Sequence, residues 1–384
     1  MLLTKGFEVE MYTGTAAGEV VGLSDRICQA LPGFVREPDR RNVEYITPPL
    51  RRYEDLLCAL LRPRLQLRQF LRRLGPYTLL PGSTLALGGS DHFERSDPGN
   101  PYHDYIERTY GTRVVTASIH INVGLPDTEA IFRACRLLRA EASLYLALSA
   151  SSPFLDGRVT GSHSSRWQVF PKTPAQVPFF RDHAHYIAWI QEQLALGTMQ
   201  NVRHLWASVR PNGPERPYHL NRVELRICDL VGDPVMVLAI TALVEARLWQ
   251  LLAQPEALDP LRGPFTPTEL ESLCEANEQA AARESLQSRL VDWRTGRERA
   301  AQEWIEELLT EAWRIGQPQG LGCFLAPLQT LLHQGNEAQR WLKQVNQGST
   351  PAQVYQQAIQ ELAEQDRESM TLVNNKLNYT ENNV

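Results

Sequence analysis

A chain of 384 residues that is 43% hydrophobic and 22% charged has the composition of a folded protein of one or two domains with a sizeable core. Its net charge of −5 argues against a nucleic-acid-binding surface, so an anionic ligand must be met by local arginine, lysine or metal. No run of about 18 apolar residues is evident, the amino terminus reads at once as a strand, and six scattered cysteines form no Cys-x-x-Cys pair; these features predict a cytoplasmic protein without membrane partner, zinc finger or dithiol redox motif.

The first predicted strand, residues 6–13, alternates Phe7, Val9 and Met11 with Glu8 and Glu10. Successive strand side chains take opposite faces, so the glutamates share one face and the apolar residues enter a core. Residues 43–47 repeat the pattern around Glu44. Tyr53 to Leu74 reads as a helix that Pro63 kinks or divides, and its many arginines, Arg64 and Arg68 among them, read as a solvated face. Leu79 to Leu87 is predicted to be a strand running into the Gly-Gly-Ser turn at 88–90. Residues 91–112 read as a polar loop of the kind that covers active sites.

Arg113 to Gly124 is the clearest strand, with Val115, Ala117, Ile119, Ile121 and Val123 opposed to Thr116, Ser118, His120 and Asn122. A helix beginning near Asp127 carries apolar residues at helical spacing as far as Leu148. The loop from Ser149 to Pro178 contains Gly161-Ser162-His163-Ser164-Ser165-Arg166-Trp167, whose glycine and serines suit an adaptable binding loop. His204 to Arg210 alternates again, Arg222 to Ile227 sets Glu224 and Arg226 on one face, and a long apolar helix follows from Pro234. Thr266-Pro267-Thr268-Glu269 combines an N-cap, a first-turn proline and a capping-box glutamate. It opens a mostly helical region broken at Gly316–Gly322, before a polar, Asn-rich end. The organisation expected is a catalytic region over 1–255, a helical region over 256–365 packed on it, and a disordered tail over 366–384. The fold class expected is α+β, with a curved, mainly antiparallel sheet, a polar concave face, and helices behind it.

If those strands are neighbours, Glu8, Glu10, Glu44, His120 and Glu224 converge. Four carboxylates without a cation raise one another's pKa, so the cluster makes sense around divalent metal. Oxygen-dominated coordination with one histidine favours Mg²⁺ or Mn²⁺ over zinc, and magnesium commonly completes its shell with substrate phosphates, which points to ATP. Neither a Walker loop nor a dinucleotide-binding glycine fingerprint is present.

Six ordered motifs, Gly6-Phe7-Glu8-Val9-Glu10, Val43-Glu44-Tyr45-Ile46-Thr47-Pro48, Ser118-Ile119-His120-Ile121-Asn122, Ser165-Arg166-Trp167, Leu205-Trp206-Ala207-Ser208-Val209-Arg210-Pro211 and Val223-Glu224-Leu225-Arg226, carry a family resemblance over roughly the first 250 residues. In them the chain resembles the glutamate–cysteine ligases of the cyanobacterial and proteobacterial type, within the carboxylate–amine ligase superfamily with a glutamine synthetase-like fold. The resemblance implies ATP- and Mg²⁺-dependent phosphorylation of the side-chain carboxylate of L-glutamate, then attack by the amine of L-cysteine to give γ-glutamylcysteine. It further implies that Glu8, Glu10, Glu44, His120 and Glu224 hold metal and that Arg226 neutralises the phosphoryl group or binds glutamate. Asn122 and Arg210 would attend the nucleotide, and Arg166 the substrate. Either Glu37 or Asp39 would fill a further acidic place. A ligase of the same fold with another amine acceptor, or a non-catalytic nucleotide-binding relative, are the alternatives. Replacing Glu224 with Gln is expected to abolish turnover and leave folding intact.

Overall fold

A computed structural model describes residues 2–381. Its strands, in chain order, begin with β1 (Lys5–Thr15), β2 (Phe34–Arg36), β3 (Asn42–Ile46), β4 (Tyr77–Leu80) and β5 (Ile119–Gly124). A separate hairpin of β6 (Phe154–Leu155) and β7 (Arg158–Val159) precedes β8 (Val209–Asn212) and β9 (Arg222–Leu225), and a small ladder of β10 (Arg289–Val291) and β11 (Glu298–Ala300) comes last. One seven-stranded sheet has the order β2-β3-β1-β5-β9-β8, with β4 also paired to β1, and every pairing in it is antiparallel. Phe7, Val9, Met11, Ile119, Ile121, Val123, Val223 and Leu225 are all buried in the main core, as alternation requires. The opposite face carries the glutamates, and register gathers them: Glu10 lies opposite Glu44, Glu8 opposite His120, and Asn122 opposite Glu224.

The helices are α1 (Ser24–Ala30), α2 (Tyr53–Leu74), α3 (Pro101–Tyr110), α4 (Thr128–Ala140), α5 (Ala142–Ser149), α6 (Ser165–Val169), α7 (His183–Ala195), α8 (Pro234–Ala253), α9 (Pro267–Glu284), α10 (Ala301–Gly316), α11 (Gly322–Gln334), α12 (Glu337–Asn346) and α13 (Pro351–Glu381). Several differ from expectation for identifiable reasons. Pro63 is accommodated within an undivided α2. The strand expected over 79–87 ends at Leu80, because Pro81 has no N–H for the ladder and Gly82 turns the chain with φ of 78°. Residues 111–114 form a 3-10 turn, so the strand expected from Arg113 begins its ladder at Ile119. The helix expected to run to Leu148 breaks at Glu141 (φ −106°, ψ 3°), whose buried carboxylate takes Arg247 at 2.6 Å. Arg64 and Arg68, expected on a solvated face, are buried and flank Asp366 of α13, with Arg64 Nε 2.7 Å from it. Helix α13 also continues through the segment expected to be a disordered tail as far as Glu381, while residues 382–384 lie outside the described residues.

Among the described residues one helix, α8, is long and apolar enough to cross a membrane, with mean hydropathy 1.7, but 72% of that window is buried inside the protein. Its charges are paired internally: Glu245 meets Lys5 Nζ at 2.7 Å and the Tyr53 hydroxyl at 2.7 Å. Helices α2, α10 and α11 pack around it, α4 lies behind β8 and β9, and α9 covers α5. One core therefore joins the sheet region to the helices beyond residue 256. All six cysteines are free.

Candidate active site

His120 on β5 stands among three carboxylates from two neighbouring strands. Its Nδ1 lies 3.0 Å from Glu8 Oε2 and 3.5 Å from Glu224 Oε1, and its Nε2 lies 3.8 Å from Glu10 Oε1. Ligand atoms of Glu8, His120 and Glu224 all fall within 4.8 Å of one another. Ser118, one position back on the same face, donates its hydroxyl to Glu10 Oε2 at 2.7 Å, and Asn122 donates to Glu8 Oε1 at 3.3 Å. Each of these contacts follows from period-two alternation on antiparallel strands.

Two electrostatic neighbourhoods adjoin here. Glu224 is fully buried and doubly neutralised: Arg210 donates to its two oxygens at 2.7 and 3.0 Å, and Arg226 adds a bond at 2.6 Å. Asn212 completes the set at 2.6 Å. Burial alone would raise this carboxyl, but Arg210, Arg226 and His120 hold it well below the usual carboxylate range. On the other side stand Glu10, Glu44 and Glu37. Burial pushes all three upward, and Glu44 is driven well up, since Glu37, Glu8 and Glu10 add repulsion to desolvation. For Glu8, burial and the Glu224 charge act upward, yet the His120 hydrogen bond and charge leave it below its ordinary value.

That division tests whether a divalent cation fits. Carboxylates that favour protons because they are buried and repel one another are a donor set short of positive charge, and oxygen donors with one imidazole suit Mg²⁺ or Mn²⁺. Glu10, Glu37 and Glu44 meet that description, and Glu8 and the His120 imidazole stand beside them. Glu224, whose two oxygens each accept two hydrogen bonds, would ligate by giving up one of its contacts to Arg210, Arg226 or Asn212.

Two cavities flank the cluster. A chamber of about 80 Å³ is lined by Glu10, Glu37, His120, Arg166, Trp206 and Arg226. A larger cleft of about 370 Å³ lies on the side of Glu8, Asn122, Gly6, Ile46 and Arg222. The predicted residues thus distribute unevenly. Arg226 joins both Glu224 and the chamber wall, and Asn122 faces the cleft. Arg210, expected beside the nucleotide, is instead engaged on Glu224 and on the carbonyls of Arg203 and Leu205 at 3.2 and 2.9 Å. Arg166 lines the chamber, but its terminal nitrogens donate to the carbonyls of Ile227 and Arg226 at 3.0 and 3.1 Å. Of the two candidates for a further acid, Glu37 reaches the chamber, whereas Asp39 pairs with Arg41 at 2.7 Å. The sequence reading missed Asn212, although it shares a β8 face with Arg210 by alternation. It also missed α3, which brings Ile106 to the chamber wall and packs Tyr102 and Tyr105 edge-on to His204.

Comparison with known proteins gives a consistent picture. The model of the family described as glutamate-cysteine ligase family 2 matches residues 4–366. A relative from Salinispora tropica named "Putative glutamate--cysteine ligase 2" is 27% identical over 320 residues, 80% of each chain, and its namesake from Salinispora arenicola is 28% identical over the same shares. Among solved structures, the fold is similar to a glutamate–cysteine ligase from Francisella tularensis in complex with AMP, with TM-score 0.72 and 12% identity over 98% of this chain and 94% of that one. It is also similar to a bifunctional glutathione synthetase from Pasteurella multocida, with TM-score 0.73 and 16% identity, where 95% of this chain spans about half (53%) of the other.

Proposed function

Because the chain belongs to glutamate–cysteine ligase family 2, we propose that it is a cytoplasmic, ATP-dependent carboxylate–amine ligase that joins the γ-carboxylate of L-glutamate to the amine of L-cysteine, giving γ-glutamylcysteine. The observation that carries this reading is the carboxylate cluster around His120, where ligand atoms of Glu8, His120 and Glu224 lie within 4.8 Å of one another, flanked by arginine and by a cavity on each side. Mg²⁺ or Mn²⁺ held by Glu8, Glu10, Glu37, Glu44 and His120 would supply charge neutralisation for phosphoryl transfer.

The chain's own residues then divide the work. The cleft beside Glu8 and Asn122 takes ATP: Ile46, 53% exposed, offers an apolar surface, and Arg222, whose Nε donates to Asn122 Oδ1 at 2.9 Å, adds positive charge. The chamber beside Glu10, Arg166 and Arg226 takes the glutamate carboxylate. A carboxylate oxygen attacks the γ-phosphorus and ADP leaves. The amine then attacks the acyl carbon, loses a proton, and releases phosphate. Arg226 neutralises the transferred group as charge develops on it, a preorganised contact of the kind that dominates such reactions. Glu224, Arg210 and Asn212 hold Arg226 in place.

The test is phosphate release from ATP, Mg²⁺ and glutamate across a panel of amines. Release that requires glutamate and is fastest with cysteine is expected. Release with another amine alone would move the reading to a different acceptor, and none with any amine would overturn it.

A further inference from the structure

We propose that Asp229 is a positioning residue of this reaction, holding Arg166 at the chamber wall in the orientation in which it meets the carboxylate substrate. The inference rests on the ligase reading above and deepens it.

Asp229 is fully buried, just past β9, where it bridges to Ser118. Its Oδ2 accepts from the Ser151 N–H at 3.0 Å and the Ser152 hydroxyl at 2.7 Å, and its Oδ1 accepts from the Ser164 hydroxyl at 2.8 Å. A serine hydroxyl has one proton to give, so Ser152 and Ser164, whose hydroxyls have donated to Asp229, turn their lone pairs elsewhere. Ser152 Oγ accepts from the Arg166 backbone N–H at 3.2 Å, and Ser164 Oγ accepts from Trp167 N–H at 3.3 Å. One carboxylate thereby fixes two successive backbone positions of α6 through two relays.

The side chain of Arg166 is set from the segment just past β9 that carries Arg226. Its terminal nitrogens bind the carbonyls of Ile227 and Arg226, and its guanidinium lies 5.7 Å from the Phe170 ring centroid. The ion pair to Asp229 is long, 3.8 Å, against 2.6 Å for Arg247 with Glu141. Arg166 is only 2% exposed, and its Nε has no hydrogen-bond partner among the described residues. A buried guanidinium with a distant counter-ion and an orphaned N–H is under-compensated, which is costly unless an anion meets it. Asp229 is close enough to aim the arginine and too far to quench it. The chamber that Arg166 shares with Arg226 supplies the place for a carboxylate.

The experiment compares wild type, Asp229→Asn, Arg166→Lys and the double variant in full-length protein, with KM for glutamate and for ATP, calorimetric glutamate binding in the presence of Mg²⁺ and a non-hydrolysable ATP analogue, and thermal melts. Asp229→Asn is expected to raise KM for glutamate and weaken its binding by about tenfold or more, with KM for ATP within about twofold. Arg166→Lys should show the same split, and the double variant should be no worse than the weaker single one. Ser152→Ala and Ser164→Ala each remove one relay, should each give a smaller loss of the same kind, and carry the test if Asp229→Asn does not fold. Unchanged glutamate affinity, equal rises in both KM values, or additive effects would overturn the positioning role while leaving the ligase reading intact. A wild type that binds no glutamate and releases no phosphate would overturn both.

Discussion

Glu224 and Glu44 both lie buried on the polar face, yet their surroundings push them in opposite directions. Glu224 is held by two arginines and an asparagine, so Glu224→Gln strands buried positive charge. The loss expected is about 3–5 kcal/mol of stability together with activity, visible as a lowered melting temperature, and a variant melting with wild type would contradict it. The expectation that this substitution spares folding does not survive the geometry. Glu44 is crowded by Glu37, Glu8 and Glu10, so Glu44→Gln should raise the metal-free melting temperature by ~1–3 °C while cutting turnover about 100-fold or more. The same asymmetry sets a pH dependence. Glu10, Glu37 and Glu44 have raised pKa values, so their contribution is complete below the ordinary value of 4.5 and is lost as pH rises through the folded values. Glu224 contributes above its ordinary value and loses that contribution as pH falls through its depressed one. Mg²⁺ should therefore stabilise the protein more as pH rises above the carboxylate range, read by melts with and without metal; a metal effect independent of pH would count against the carboxylate donors. Alternation made Glu8, Glu10, His120, Asn122 and Glu224 legible in sequence because it fixes faces. It could not show that Arg210 binds Glu224 or that Glu37 rather than Asp39 enters the site, since those choices depend on partners distant in the chain.

Elements were legible where one local signal dominated. The capping box of α9 is present as read, Thr266 and Glu269 each bonding the other's backbone. Helix α3 carried a signal too, Asn100 at the cap and Pro101 in the first turn, but lay inside a polar stretch whose composition suggested loop. Its cap accepts from Tyr102 N–H at 2.9 Å, so Asn100→Ala should cost the helix about 1 kcal/mol. The measurable outcome is faster amide exchange over 101–110 and a higher KM for the substrate in the chamber it walls; unchanged exchange there would show that α3 is held by packing alone. The shortening of β4 was open to a closer reading, since Pro81 and Gly82 are local signals. The break at Glu141 was less accessible, because it is decided by the buried pairing of Glu141 with Arg247 in the assembled molecule.

Across the whole molecule, the helices beyond residue 256 are part of one core and also reach the site. Trp167, next to Arg166, donates its indole N–H to Glu278 of α9 at 3.1 Å, and Ser164 N–H bonds the Ala282 carbonyl at 2.8 Å. A chain cut after residue 255 exposes one side of α8, whose partners are α10 and α11, and should show no cooperative melt. An independently folding 1–255 fragment would contradict that. The sequence allowed a helical region packed on the sheet to be expected, but long-range contacts of this kind leave little trace in local sequence, so which helices meet α8 and α6 could not be read. The central claim is that the polar face activates a carboxylate with ATP. Glutamate labelled with ¹⁸O in its side-chain carboxylate, turned over with ATP, Mg²⁺ and cysteine, tests it most directly. The account predicts that the released phosphate carries one labelled oxygen per turnover, taken from the acyl phosphate, and unlabelled phosphate formed at the rate of peptide-bond formation would contradict it.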